Sequence, residues 1–188
     1  MKSNIGEKLL VYRVQQKKDK DAFAELYDLY IEKIYRFIYV KVSHKEQAED
    51  LTSEVFLKTW NYLVGSASEK SDLSIKSFSG LIYKIARNSV VDFYRKNSSR
   101  AEYGLEAAEE IFVESREFET VQAKTEMEQM LRVLKKMKRE YQEIVMLRYI
   151  EELSVKEIAE ILGKNVIAVR VTLHRALQVL KKLMERNT

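Results

Sequence analysis

Apolar residues along this chain recur at intervals of three and four rather than two. Phe23, Leu26, Tyr27, Tyr30, Ile34 and Phe37 fall on one helical stripe, which Lys41 extends by burying only its stem. Ala48, Leu51, Val55, Thr59 and Tyr62, broadened by Phe56 and Trp60, form a second stripe. Phe78, Leu81, Ile82, Ile85, Ala86, Ser89 and Phe93 form a third. A shorter amphipathic segment near Ile5 to Gln16 precedes them. The second long helix is expected to start at Ser43, where S-H-K-E makes a capping box between the Ser43 side chain and Glu46, and to run to about Leu63. With five glycines and no proline, little in the chain interrupts a helix, so the fold class is all-α.

The C-terminal stretch LSVKEIAEILGKN carries a second capping box, at Ser154 and Glu157. Ile158, Ile161 and Leu162 point to a core, Ala159 is small, Gly163 follows four residues later and Val169 six after that. This is helix-turn-helix spacing. The small residue lets two helices approach, the glycine permits a left-handed turn, and the branched residue locks the second helix to the first. Asn165 is placed to cap that second helix, VIAVRVTLHRAL, which carries Arg170, His174 and Arg175. Its apolar opening, Val166, Ile167 and Val169, is expected to pack against the scaffold. That would leave most of any nucleic-acid contact to Arg170, His174 and Arg175, some of it to phosphate.

Charge divides the chain in three. Basic residues exceed acidic ones by four over residues 1–98 and by five over 124–188, whereas acidic residues exceed basic ones by five over 99–123. We therefore expect two small helical domains, 1–98 and 124–188, joined by an acidic linker.

Two outer faces carry candidate chemistry. Opposite the second stripe lie Glu46, Asp50, Ser53, Glu54, Leu57 and Asn61, an acidic strip holding one exposed leucine. This is either a solvated face with a stray apolar residue or a docking surface for a basic partner. Opposite the third stripe lie Tyr83, Lys84, Arg87, Val91, Tyr94 and Arg95. Rings interleaved with cations suit unpaired nucleic acid, because rings stack on bases while cations hold phosphates. A basic solvated face edged by packed tyrosines is the alternative. Asp92, at the rim of the core side, is expected to be a structural ion-pair or hydrogen-bond partner.

Other chemistry is thin. The absence of cysteine removes disulfides, thiolate metal sites and cysteine nucleophiles, and fits a reducing cytosol. The two histidines, His44 and His174, have no ligand-spaced neighbours, and the carboxylates of EAAEE read as a solvated charge run. No glycine-rich phosphate loop or HExxH is present, so no cofactor, no metal and no enzymatic activity are expected. No apolar run is long enough to cross a membrane and the N-terminus lacks a signal-peptide core, so a cytoplasmic protein without membrane insertion is expected.

Three ordered motifs then carry a resemblance: AFAELYDLYIEKIYRF followed by AEDLTSEVFLKTW, FSGLIYKIARNSVVDFYRK, and YQEIVMLRYIEELSVKEIAEILGKNVIAVRVTLHRAL. Together they resemble region 2, the promoter-melting helix and region 4 of bacterial RNA polymerase sigma factors of the extracytoplasmic-function group. The resemblance implies a dissociable promoter-specificity subunit, monomeric when free. Its partners would be core RNA polymerase, at the clamp coiled-coil and the flap, promoter DNA and an anti-sigma factor. It implies that Asp50, Ser53, Glu54 and Leu57 dock on the clamp. The minus-10 element would fall to the loop 65–74 with Tyr83, Lys84, Arg87, Asn88, Tyr94, Arg95 and Lys96, and the minus-35 element to Asn165, Arg170, Thr172, His174 and Arg175. The acidic linker would lie in polymerase channels built for RNA.

The chain also departs from the group. Ser53 stands where a glutamine is usual, Gly80 replaces a bulky aromatic and Lys138 a proline. Ile167 and Ala168 replace Gly-Thr in the reading helix, where Val171, Thr172 and Leu177 are also atypical. Two other readings stay open from the residues alone. One is a helix-turn-helix regulator whose first domain senses a ligand or dimerises, and the other is a polymerase-binding interaction protein that does not read promoters.

Overall fold

The computed structural model describes residues 4–42, 44–65, 77–98 and 133–185. Ser43 of the first capping box, the loop 66–74, the carboxylates of EAAEE and the acidic linker 99–123 lie outside the described residues. The chain divides into two compact units, Met1–Gly104 and Leu105–Thr188. Among the described residues every regular element is helical.

The first unit contains α1 (Asn4–Lys17), α2 (Lys20–Val42), α3 (Lys45–Gly65) and α4 (Phe78–Ser98). The break between α1 and α2 is made by Lys18, held at a left-handed φ of 51°, and by Asp19. Asp19 accepts the amides of Asp21 and Ala22, each at 3.0 Å, on one carboxylate oxygen and the Arg13 Nε–H at 2.9 Å on the other. The cap satisfies two otherwise orphaned donors of α2. Farther along the same hairpin the Tyr30 hydroxyl donates to Glu7 at 2.6 Å.

Val14, Leu26, Ile34, Phe37, Ile38, Val55, Leu63, Ile82 and Ala86 form the fully buried centre of this unit. Thr52 and Thr59, also buried, donate to the carbonyls of Ala48 and Val55 one turn back, so their hydroxyls enter the core without an unmet hydrogen bond. The expected stripes are present but narrower than the buried arcs. Ile38, Val40 and Val42 in α2, Thr52 and Leu63 in α3, and Tyr83 and Val90 in α4 are buried as well. Tyr27 stays 40% exposed, with its ring centroid 4.5 Å from that of Phe56. The Lys41 ammonium stands 4.7 Å from the centroid of the Phe37 ring.

The second unit contains α5 (Arg139–Val145), which widens into a π-helical turn over Met146–Ile150, then α6 (Val155–Leu162) and α7 (Val166–Glu185). Lys138 precedes α5 at φ −56° and ψ 141°, the backbone that a proline at this position would hold by its ring. The Arg148 guanidinium, in the π turn, donates to the Leu153 carbonyl at 3.1 Å and braces the approach to α6.

α6 opens with the expected capping box. The Glu157 amide donates to Ser154 Oγ at 3.3 Å, and the Ser154 amide donates to the Glu157 carboxylate at 2.9 Å. It stops at Gly163, φ 63°, where the Lys164 amide reaches back to the Ala159 carbonyl at 2.9 Å and the Gly163 amide to that of Glu160 at 3.4 Å. That pair of backward bonds is a Schellman stop, which needs the left-handed residue that glycine supplies without strain. Asn165 then caps α7, accepting the Ala168 amide at 2.7 Å. Val169 and Ile158 are both fully buried between the helices.

Candidate nucleic-acid interface

The strip on α3 is built as expected. Asp50, Ser53, Glu54 and Leu57 are all exposed, Leu57 at 61%. The Ser53 hydroxyl turns back to the Glu49 carbonyl at 3.0 Å. Glu54 meets Lys58 at 2.5 Å, and Lys58 also donates to Ser89 of α4 at 3.1 Å. The strip is thus anchored at one edge to α4, and Leu57 stands exposed within it.

α4 differs from its expected outer face. Tyr83 is only 1% exposed, and its ring meets that of Phe37 edge-on at 5.3 Å, so it belongs to the core and not to a stacking surface. Tyr94 is half-buried, and its hydroxyl donates to the Lys41 carbonyl at 2.6 Å, stitching α4 to the end of α2. The cause is that α4 packs on α2 as well as on α3. A second neighbour widens its buried arc beyond the single stripe that periodicity reports. The remaining outer stripe is Lys84, Arg87, Asn88, Val91 and Arg95, continued by Lys96; Arg87 is half-buried and Val91 is 50% exposed. Asp92 pairs with Arg95 at 3.1 Å, the ion-pair role expected of it. This face is cationic, with one apolar residue and no free ring.

α7 also differs, at its tip. Val169 is buried and Val166 half-buried, but Ile167 is 73% exposed and turns away from the scaffold. Projected at about 100° per residue, the outer stripe is Ile167, Arg170, Val171, His174 and Gln178, with Arg175 at its edge. All six are exposed, Val171 at 44%. The His174 ring and the Gln178 amide are 3.0 Å apart. Thr172 is half-buried on the flank that carries Val169 and Ala176, so it does not join the stripe. Asn165 is exposed, but its side-chain oxygen is spent on the cap. Through Arg175 the stripe has no acidic residue; Glu185 is the first in α7.

Ile167, expected to pack on the scaffold, is a surface residue, and Val171 is exposed beside it. The signal was available in the angle between Ile167 and Val169, which are about 200° apart on a helix and cannot face one scaffold together. Among the described residues no group of three or more His, Asp or Glu side chains is disposed to hold a metal ion, and no helix is long and apolar enough to cross a membrane.

Two family profiles match the chain: "Sigma-70 region 2" over residues 26–100 and "Sigma-70, region 4" over residues 127–180. The chain is 34% identical to the ECF RNA polymerase sigma factor BldN of Streptomyces coelicolor, over 93% of its own length and 64% of the relative's. It therefore spans a little under two thirds of that relative. It is 33% identical to the RNA polymerase sigma factor YlaC of Bacillus subtilis, over 90% of its own length and 96% of the relative's. Its fold is similar to that of the sigma factor RpoE solved with the anti-sigma factor NepR from Bartonella quintana. That match has a TM-score of 0.65 and 20% identity, and covers 89% of this chain and 98% of that one.

Proposed function

The chain belongs to the sigma-70 family of RNA polymerase sigma factors, in its extracytoplasmic-function group, and from that premise we propose that it is a promoter-specificity subunit. It binds core RNA polymerase and directs initiation at promoters with a minus-35 and a minus-10 element. It supplies no catalysis of its own; the phosphoryl-transfer chemistry is the polymerase's. It acts where polymerase and DNA meet, in the cytoplasm, and an anti-sigma factor is the expected antagonist.

The observation that carries this reading is the pair of cationic helix faces, one in each unit. On α7, Arg170 and Arg175 flank an exposed stripe without acidic residues, on a helix capped at Asn165 and aimed by the Gly163 turn. Such a helix suits the major groove, with the arginines on phosphates and base edges. On α4, Lys84, Arg87, Asn88, Arg95 and Lys96 suit a strand being opened. Because Tyr83 is core and Tyr94 is tied to α2, capture of unpaired bases there leans on cations and amides more than on stacking. Extruding a base costs a few kcal/mol, which contacts on this face must offset. Asp50, Ser53, Glu54 and Leu57 form the docking strip for the clamp.

Reconstitution tests this directly. The full chain added to core polymerase should yield transcripts with discrete starts from a genomic DNA pool, each dependent on the added chain. The absence of any start that depends on it would reject the proposal. A start pattern unchanged by deleting the upstream element would remove the minus-35 assignment.

A further inference from the structure

We propose that Ile167 and Val171 are specificity-determining residues that contact the C5-methyl groups of thymine in the major groove. The inference rests on reading α7 as a DNA-contacting helix and deepens it. Ile167 is 73% exposed and Val171 44% exposed, four residues apart on the stripe that also holds Arg170 and His174. Neither residue is needed to dock the helix, since Val169 is fully buried and Val166 and Ala168 are half-buried at the scaffold. A single exposed aliphatic residue is ordinary. Two in register, at the entering end of a helix whose stripe is otherwise cationic or polar, match one chemical feature of a base edge.

That feature is the thymine methyl, which is the apolar group displayed in the major groove. Charge complementarity argues for DNA as the occupant: Arg170 and Arg175 border the pair, and no carboxylate stands on α7 before Glu185. The side chains of Ile167 and Val171, one turn apart, are separated by about 5–6 Å. The rise per base pair is about 3.4 Å, so they address thymines one or two steps apart. His174, beside Gln178 at 3.0 Å, lies one turn farther from the tip and leaves the tip contact to the aliphatic pair.

The test removes only the methyl. Holoenzyme reconstituted from core polymerase and the full chain selects from a duplex pool randomised across the minus-35 segment. Each thymine of the best-bound duplex is then replaced, one at a time, by deoxyuridine. At one or two positions the unaltered chain should lose about three- to fivefold in closed-complex formation. Ile167→Ala with Val171→Ala should lose less than about 1.5-fold at those positions. The proposal is overturned if no methyl matters to the unaltered chain, or if the double variant loses as much. Arg175→Ala separates the two levels. If it weakens every duplex while the methyls are silent, the DNA-contact reading of α7 stands and the thymine contact falls; if it too has no effect, both fall.

Discussion

Gly163 sets the angle at which α7 leaves α6, and replacing it perturbs one variable. Its φ of 63° lies in the left-handed region, and a Cβ added there would meet nothing within 4 Å. Gly163→Ala therefore introduces backbone strain without a clash. Left-handed backbone costs an L-residue about 1–2 kcal/mol. Alanine's stiffer unfolded chain returns up to roughly 1 kcal/mol of that, so a net loss of about 1 kcal/mol is expected. Because the Schellman bonds from Lys164 and Gly163 hold the turn, the loss should concentrate in α6 and α7. Amide hydrogen exchange resolved to those helices should quicken about fivefold, which is 1 kcal/mol at 25 °C. Asparagine tolerates the left-handed region, so Gly163→Asn should fall between glycine and alanine, and Gly163→Val below both. An alanine variant as protected as the parent, or an asparagine variant no better than alanine, would refute the claim that backbone conformation selects glycine here.

Replacing Leu57 by Glu should leave stability within about 0.5 kcal/mol, because the side chain is 61% exposed. It should weaken core-polymerase binding about tenfold in a titration; unchanged affinity would return the strip to an ordinary solvated face. Lys84→Ala with Arg87→Ala should cut open-complex formation, read by permanganate reactivity, by roughly tenfold while closed complexes fall much less. Equal losses at both steps would end that division of labour. Tyr94→Phe removes the 2.6 Å bond to the Lys41 carbonyl and should cost about 1 kcal/mol in denaturation of the first unit, with opening at low temperature retained. Loss of opening without loss of stability would give the hydroxyl a direct role. The Asp19 carboxyl is held below its ordinary pKa, chiefly by the Ala22 amide and then by Arg13. A depressed carboxylate stabilises the fold above its unfolded pKa, and the contribution disappears as pH falls through the folded value. The melting-temperature advantage over Asp19→Asn should therefore shrink below about pH 4; a constant difference from pH 5 to pH 2.5 would contradict the lowered carboxyl pKa.

What the sequence determined by itself was local. The helices, the Ser154–Glu157 box, the left-handed Gly163 and the Asn165 cap each follow from a few consecutive residues, because caps and turns are satisfied within four or five positions. The exposed strip at Asp50, Ser53, Glu54 and Leu57 was legible for a related reason: it lies directly opposite a stripe broad enough to define its back. The other two faces were decided by tertiary structure. Periodicity gives the direction of each side chain around its own axis, but not how many neighbours that helix will have. Packing on both α2 and α3 took Tyr83 into the core and tied down Tyr94, turning an expected stacking face into a cationic one. At the start of α7 the scaffold covers Val169 and only part of Val166, and Ile167 emerges into solvent on the outer stripe of the helix.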